Sequence, residues 1–253
     1  MSEKFVGEKA FKKLMSIVIG SEIFPKEPIS DNEVSDLWDN CEMPIGSEEE
    51  LNLFSFDLNS NSIVLNQFTD NTSTNITVYG AYKKNGKTYK TKIGSNPLNT
   101  NMNYMFANKS NIQSIIFEKG IDTSECTAMN HMFYKCTSLN TIKGLEYFNI
   151  TNVKTIANMF AYCSMMHQID GIKNWDISNT DYISYIFLDC RSLTSLDLTG
   201  WDISNVRELN YLFQNCPKLT EIKVSRSRWI IPGGYYRTDV FKNCGCNSVT
   251  YVD

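Results

Sequence analysis

The chain has 253 residues and a formal charge of −4, with 42% hydrophobic and 12% aromatic side chains. That composition supplies a core, and its acidic balance lacks the basic stripe on which a nucleic-acid binder depends. No apolar run reaches the roughly 18 residues of a membrane span. The short apolar segment 14–19 lies behind Glu3 and Glu8, whereas a secretory leader wants a basic start and a longer apolar region. The expectation is a protein released into the cytoplasm that must leave by another route if it works outside a cell.

Residues 3–19 read as an amphipathic helix, because Phe11, Leu14, Met15 and Val18 recur at i, i+3, i+4 and i+7. This stripe is a candidate docking surface. Pro25 and Pro28 break the chain into a linker, and Ser30 to Glu33 has the form of a capping box opening a second short helix. Val34, Leu37, Trp38 and Cys41 give that helix its apolar side. Residues 1–46 are thus expected to form a helical docking segment and linker.

From Leu51 the pattern changes to strands: Leu53, Phe54 and Phe56, then Ile63 to Leu65. Next comes a hairpin in which Ile76, Val78 and Tyr79 lead to Asn85-Gly86 and Lys87, Tyr89 and Ile93 return. Asn-Gly supplies the positive φ angles of a two-residue type I′ turn. The lysines at 83, 84, 87, 90 and 92 read as the wet face of that hairpin. Residues 47–101 are expected to be a β-rich unit that caps the first rung of a repeat region.

The repeat occupies residues 102–253. Phe106, Phe133, Phe160, Phe187, Phe213 and Phe241 are separated by 27, 27, 27, 26 and 28 residues. A fixed period in this range marks a solenoid, in which each repeat stacks on its neighbours. The segment Leu193 to Leu198 has the L-x-x-L-x-L spacing of a leucine-rich-repeat strand, matched at 112–117, 139–144, 166–171 and 219–224. A corner follows, at Trp175-Asp176-Ile177-Ser178-Asn179 and Trp201-Asp202-Ile203-Ser204-Asn205, with Ile121 and Phe148 at the Trp position of earlier copies.

Each corner hydrophobe, Trp229 included, lies 12 residues before its phenylalanine, so length changes fall on the strand side. Ser124, Thr151, Ser178 and Ser204 suit N-caps, and Val153, Ile156, Phe160 and Cys163 then have helical spacing. The expected fold is an α/β solenoid: about five rungs of 27 residues, one strand and one short helix each.

Chemistry is sparse. Cys136, Cys163, Cys190, Cys216 and Cys244 each stand three residues after a repeat phenylalanine, which reads as a buried packing ladder. Metal sites want clustered pairs, and Cys244-x-Cys246 is a weak one. His131 and His167 have no partnering nucleophile pattern, and Asp176 and Asp202 sit at corners where Asp bonds backbone amides. No nucleophile elbow, zinc-protease or phosphate-loop motif is present, so the expectation is no enzyme, no metal and no cofactor.

Two surfaces are candidates for binding. On the strand face Ser114, Ile116, Thr141, Lys143, Gln168, Asp170, Ser195, Asp197, Glu221 and Lys223 point outward, either as a site or as a plain solvated face. At the C-terminal end Arg226, Arg228, Tyr235, Tyr236 and Arg237 form an aromatic and basic group. Arg and Tyr are favoured at interfaces. The same group could equally be a cap with snorkelling side chains.

Met-Phe-x-x-Cys, Ser-Leu-x-x-Leu-Asp-Leu and Trp-Asp-Ile-Ser-Asn-Val resemble the repeats of BspA-type leucine-rich-repeat surface proteins over residues 102–253. The departures are Lys109 for the first cysteine, Ile186, Leu212 and Val240 for methionine, and Ile230 to Gly234 for the last corner. The resemblance implies a right-handed solenoid and roles in adhesion to cells, proteins or glycans. Lys4 to Ala10 with Leu14, and Ile29 to Val34, look like segments of structural tail proteins of phages of Gram-positive bacteria.

These resemblances favour a non-catalytic virion component. Its N-terminal helix would meet other virion proteins, and its solenoid a host-surface protein or glycan. Such a protein acts outside the cell after cytoplasmic assembly, with no nucleic acid and no membrane insertion; whether it is a homo-oligomer stays open. The alternative is a bacterial cell-surface leucine-rich-repeat adhesin or a cytoplasmic interaction scaffold.

Overall fold

The structure, a computed structural model, describes residues 44–94, 101–230 and 238–252. The helices expected at 3–19 and from Ser30, and with them Phe11, Leu14, Met15 and Val18, lie outside the described residues.

Ser47 opens a one-turn helix, α1 (Glu48–Leu51), through a capping box. The Glu50 amide donates to Ser47 Oγ (3.1 Å) and the Ser47 amide donates to Glu50 Oε2 (2.8 Å). Then come β1 (Phe54–Leu58), β2 (Ser62–Phe68), β3 (Asn75–Val78), β4 (Ala81–Lys84) and β5 (Lys87–Ile93). Four of these form a sheet in the order β1-β2-β5-β4. The hairpin turns at Asn85 (φ 50°) and Gly86 (φ 77°), as the Asn-Gly pair requires. Its outgoing strand is β4, not the expected segment around Ile76 and Val78, which is β3 and belongs to another sheet. Among the described residues two of the five hairpin lysines meet acids: Lys84 pairs with Glu48 (2.8 Å) and Lys92 with Glu125 (3.1 Å).

The repeat strands are β6 (Ser114–Phe117), β7 (Thr141–Lys143), β8 (Ser195–Asp197), β9 (Glu221–Val224) and β10 (Thr250–Tyr251). All pair in parallel and in register, with Ile115 opposite Ile142 and Leu196 opposite Ile222. β3 joins this stack ahead of β6, placing Ile76 against Ile115 and Val78 against Phe117. The expected strand at 166–171 is not a regular strand, although the Thr194 amide still donates to the His167 carbonyl across the rungs (3.1 Å). Gly144 ends β7 at φ 84°, where a Cβ would lie 1.9 Å from the Phe117 carbonyl oxygen. Only glycine fits there.

Among the described residues the expected short helix of each rung is absent, so the fold is a β-solenoid and not an α/β one. Residues four apart instead take left-handed backbone angles: Tyr104 and Asn108, His131 and Lys135, Asn158 and Tyr162, Tyr185 and Asp189, Tyr211 and Asn215, Asp239 and Asn243, all with φ between 52° and 64°. An α-helix cannot contain such residues, because each reverses the local hand. The amides of His131, Phe133 and Lys135 consequently donate outward to Ala157, Met159 and Ala161 of the next rung, at 2.9–3.0 Å. A left-handed residue costs about 1–2 kcal/mol, and one intramolecular hydrogen bond returns about 0.5–1.5. Burial of the apolar side chains between them must supply the surplus.

That burial forms continuous ladders. The rings of Phe106, Phe133, Phe160, Phe187, Phe213 and Phe241 stack at 5.3–6.0 Å. Phe68 of β2 extends the ladder at its start, 5.4 Å from Phe106. A second ladder runs Phe148, Trp175, Trp201 at 6.4 and 6.5 Å, with the planes within 8° of parallel. Each indole also donates to a carbonyl of the preceding rung: Trp175 Nε1 to Leu145 (2.9 Å) and Trp201 Nε1 to Ile172 (2.8 Å).

The cysteines form a third ladder. Cys136, Cys163, Cys190 and Cys216 are buried, and each Sγ lies 2.9–3.1 Å from the carbonyl oxygen of the previous rung's phenylalanine. In the first rung Lys109 takes the cysteine position. Its ammonium donates to the Thr69 and Asp70 carbonyls (3.3 and 2.9 Å) and to Asn71, tying the capping unit to the stack.

Candidate functional site

The site is built where the Asp-Ile-Ser-Asn corners stack. In four successive rungs the side chain of Asp122, Asn149, Asp176 or Asp202 accepts the amide two residues on, from Ser124, Thr151, Ser178 or Ser204, at 3.0–3.1 Å. These are Asx turns. The Ser and Thr positions expected as N-caps are therefore the donors of these bonds, and the residue two before each is the acceptor. The expectation that Asp176 and Asp202 bond backbone amides agrees with the structure.

The asparagine of each corner reaches the other way. Nδ2 of Asn152, Asn179 and Asn205 donates to the carbonyl of Ser124, Thr151 and Ser178, at 2.8–3.0 Å. With its amide end committed to the stack, each carboxamide presents its oxygen at the corner edge.

Two polar grooves flank this edge. The first, about 300 Å³, is lined by Lys154, Ser178, Asn179, Asp181, Ser204, Asn205 and Arg207. Arg207 Nε stands 3.5 Å from Asp181 Oδ1. Two of its backbone amides are committed to the stack: the Asp181 amide donates to the Lys154 carbonyl and the Arg207 amide to the Asp181 carbonyl, both at 2.8 Å. The second, about 390 Å³, includes Asn174, Asp176, Asp202, Gly200 and Arg228. Arg228 Nη1 donates to the Gly200 carbonyl (3.1 Å). Hydrogen bonds from Ser178, then the nearby Arg228 charge, hold the Asp176 carboxyl below the usual carboxylate range.

The basic and aromatic end group divides. Tyr235, Tyr236 and Arg237 lie outside the described residues. Arg226 stacks its guanidinium 4.5 Å from the Tyr251 ring centre of β10, whereas Arg228 belongs to the corner groove. The outward strand residues do alternate with buried ones, and three of them are tied in ion pairs: Asp197 with Lys173 (3.0 Å), and Lys223 with Glu221 (3.4 Å).

A third surface lies over the left-handed turns. Tyr104 stacks on His131 (4.6 Å), and Lys135 lies over both Tyr134 and Tyr162 (5.1 and 5.8 Å). Tyr185 stacks on Tyr211 (4.9 Å). His131 Nδ1 is buried with no hydrogen-bond partner, and burial pushes the ring's pKa down. The only sequence sign of this strip is tyrosine recurring beside the phenylalanines, and the assumed helix hides it.

Burial pushes the Cys136 and Cys216 thiols up to about 12, and those of Cys163 and Cys190 well above the ordinary value. Cys244 and Cys246 are half-buried, with sulfurs 3.6 Å apart. Among the described residues no cluster of three His, Cys, Asp or Glu could hold a metal ion, and no helix is long and apolar enough to cross a membrane.

The sequence model of one protein family, described as "Mycoplasma protein of unknown function, DUF285", matches residues 100–229. No curated protein matches the sequence. Among solved structures, the chain is similar to a leucine rich cell surface protein from Faecalibacterium prausnitzii A2-165, at 19% identity and a TM-score of 0.48 over 79% of this chain; it spans 53% of that protein, about half its length. It is also similar to a leucine rich repeat protein of T. pallidum, at 14% identity and a TM-score of 0.45, covering 76% of this chain and 87% of that one. A leucine-rich repeat protein from Bacteroides ovatus ATCC 8483 gives 13% identity and a TM-score of 0.21, with 78% and 69% covered. The phage-tail resemblance of residues 4–34 gains no support from any of these.

Proposed function

The chain belongs to the DUF285 family, and we propose that it is a non-enzymatic binding protein of the adhesin type, acting at a cell surface. One observation carries this reading. The Cys136 to Cys216 thiols are buried inside the stack, while the corner edge repeats hydrogen-bonding groups in register from rung to rung. An array of fixed polar groups suits a ligand that is itself repetitive or extended. The resemblance of the repeats to BspA-type surface proteins supports the cellular setting.

The test is direct. Fluorescently labelled full chain is titrated onto cultured epithelial cells, with heat-unfolded chain as the control. Saturable retention of the folded chain alone supports the proposal. Retention no greater than the control's would remove it.

A further inference from the structure

We propose that the groove between Lys154 and Arg207 is a binding site for an acidic saccharide, a sugar unit carrying a carboxylate. This rests on the binding reading above and names the chemistry of one site within it.

Four features of the groove select that class. Its lining is polar throughout, from Lys154, Ser178, Asn179, Asp181, Ser204, Asn205 and Arg207, which leaves no floor for an apolar side chain or an acyl chain. Its charge is net positive: two cations against the single carboxylate of Asp181, and Lys154 makes no ion pair among the described residues. A negatively charged ligand is favoured, and arginine suits a carboxylate because its planar fork can bond both oxygens.

The third feature is the supply of acceptors. Asn179 and Asn205 donate Nδ2 to the Thr151 and Ser178 carbonyls, so their oxygens remain for a ligand, beside the Asp181 carboxylate. Such oxygens need donors. A sulfate or a doubly ionised phosphate ester offers none and would leave them unpaired, whereas sugar hydroxyls donate and accept. The fourth is the backbone: the Lys154, Asp181 and Arg207 amides are already bonded to the rung before, so they offer no donors to an added peptide strand. In the assignment, Lys154 and Arg207 hold the carboxylate, and Asn179, Asn205 and Asp181 accept from hydroxyls.

The probes are 3′-sialyllactose and a hyaluronan tetrasaccharide, with lactose and inorganic sulfate as controls, titrated into the full chain by calorimetry or NMR. At least one acidic saccharide should bind, and lactose should bind at least tenfold more weakly. Affinity should fall at least tenfold in K154A/R207A and in N179A/N205A, while R226A stays unchanged. Absence of binding by both acidic saccharides, equal binding of lactose, displacement by sulfate at equal affinity, or no loss in K154A/R207A with folding intact would each overturn the assignment. If K154A/R207A still adheres to cells like the parent chain, this site fails and the surface-binding reading survives.

Discussion

Cys163 Sγ stands 3.1 Å from the carbonyl oxygen of Phe133, one rung earlier in the stack. The same pairing recurs in the rungs before and after, so the cysteine ladder fastens rungs to each other as well as filling space. Removing one thiol deletes a buried donor and leaves a small void. Cys163→Ala should destabilise the chain by about 1–3 kcal/mol, whereas Cys246→Ala at the half-buried end should change it by less than about 0.5. Urea unfolding of the two variants checks both values.

Trp201 carries a heavier load, because its ring stacks on Trp175 and its Nε1 donates to the buried Ile172 carbonyl. Trp201→Phe keeps much of the stack and loses the bond, for an expected cost of about 1–3 kcal/mol. Trp201→Ala adds a cavity and should cost about 3–5 kcal/mol. If the two variants unfold at the same denaturant concentration, the hydrogen bond and not the stacking is the main contributor.

Asn158 sits at φ 59°. A β-branched side chain is poorly tolerated there, so Asn158→Val should destabilise by about 1–2 kcal/mol. Asn158→Gly should be near neutral or better. A right-handed helix at this position would rank the two variants the other way, and thermal melts of the pair distinguish the cases.

His131 makes stability pH-dependent. Its ordinary value is 6.5, and burial lowers it in the folded chain. The unfolded chain therefore takes up the proton first as pH falls. Stability is fully present above about pH 6.5 and declines below it, as pH drops through the folded-state value. His131→Asn keeps a residue tolerant of φ 58° and removes the titration. Comparing urea midpoints at pH 7.5 and 5.5, the parent should lose more between them than the variant does.

Much of the solenoid is legible in the sequence, because its ladders need the same side chain at one position per rung. The phenylalanines, the cysteines and the corner aromatics all announce themselves by period. The turn half misleads for a physical reason: Val153, Ile156, Phe160 and Cys163 have helical spacing because inward residues of two successive tight turns are also three and four apart. The contrary sign is present at Asn108, His131, Asn158, Asp189, Asn215, Asp239 and Asn243, residue types that tolerate left-handed angles, recurring on the turn side.

The start of the stack is less readable. Phe68 and β3 occupy the ring and strand positions of a rung before the first repeat, yet they come from a capping unit with no repeat sequence. The Ser47-x-x-Glu50 capping box is legible and announces α1. The corner grooves are not, since they arise only when Lys154, Asp181 and Arg207 from three rungs come side by side. Of the end group, Arg228 joins the second of these grooves instead.

The helically spaced half of each rung is a ladder of left-handed turns bonded rung to rung, which stacks the corners in register. NMR of the labelled chain tests it most directly over residues 129–163. Strong intraresidue amide–Hα contacts are expected at His131, Lys135, Asn158 and Tyr162, with contacts between the Phe133 amide and the rung holding Met159. An unbroken run of sequential amide–amide contacts from Val153 to Cys163, the pattern of a right-handed helix, would contradict it.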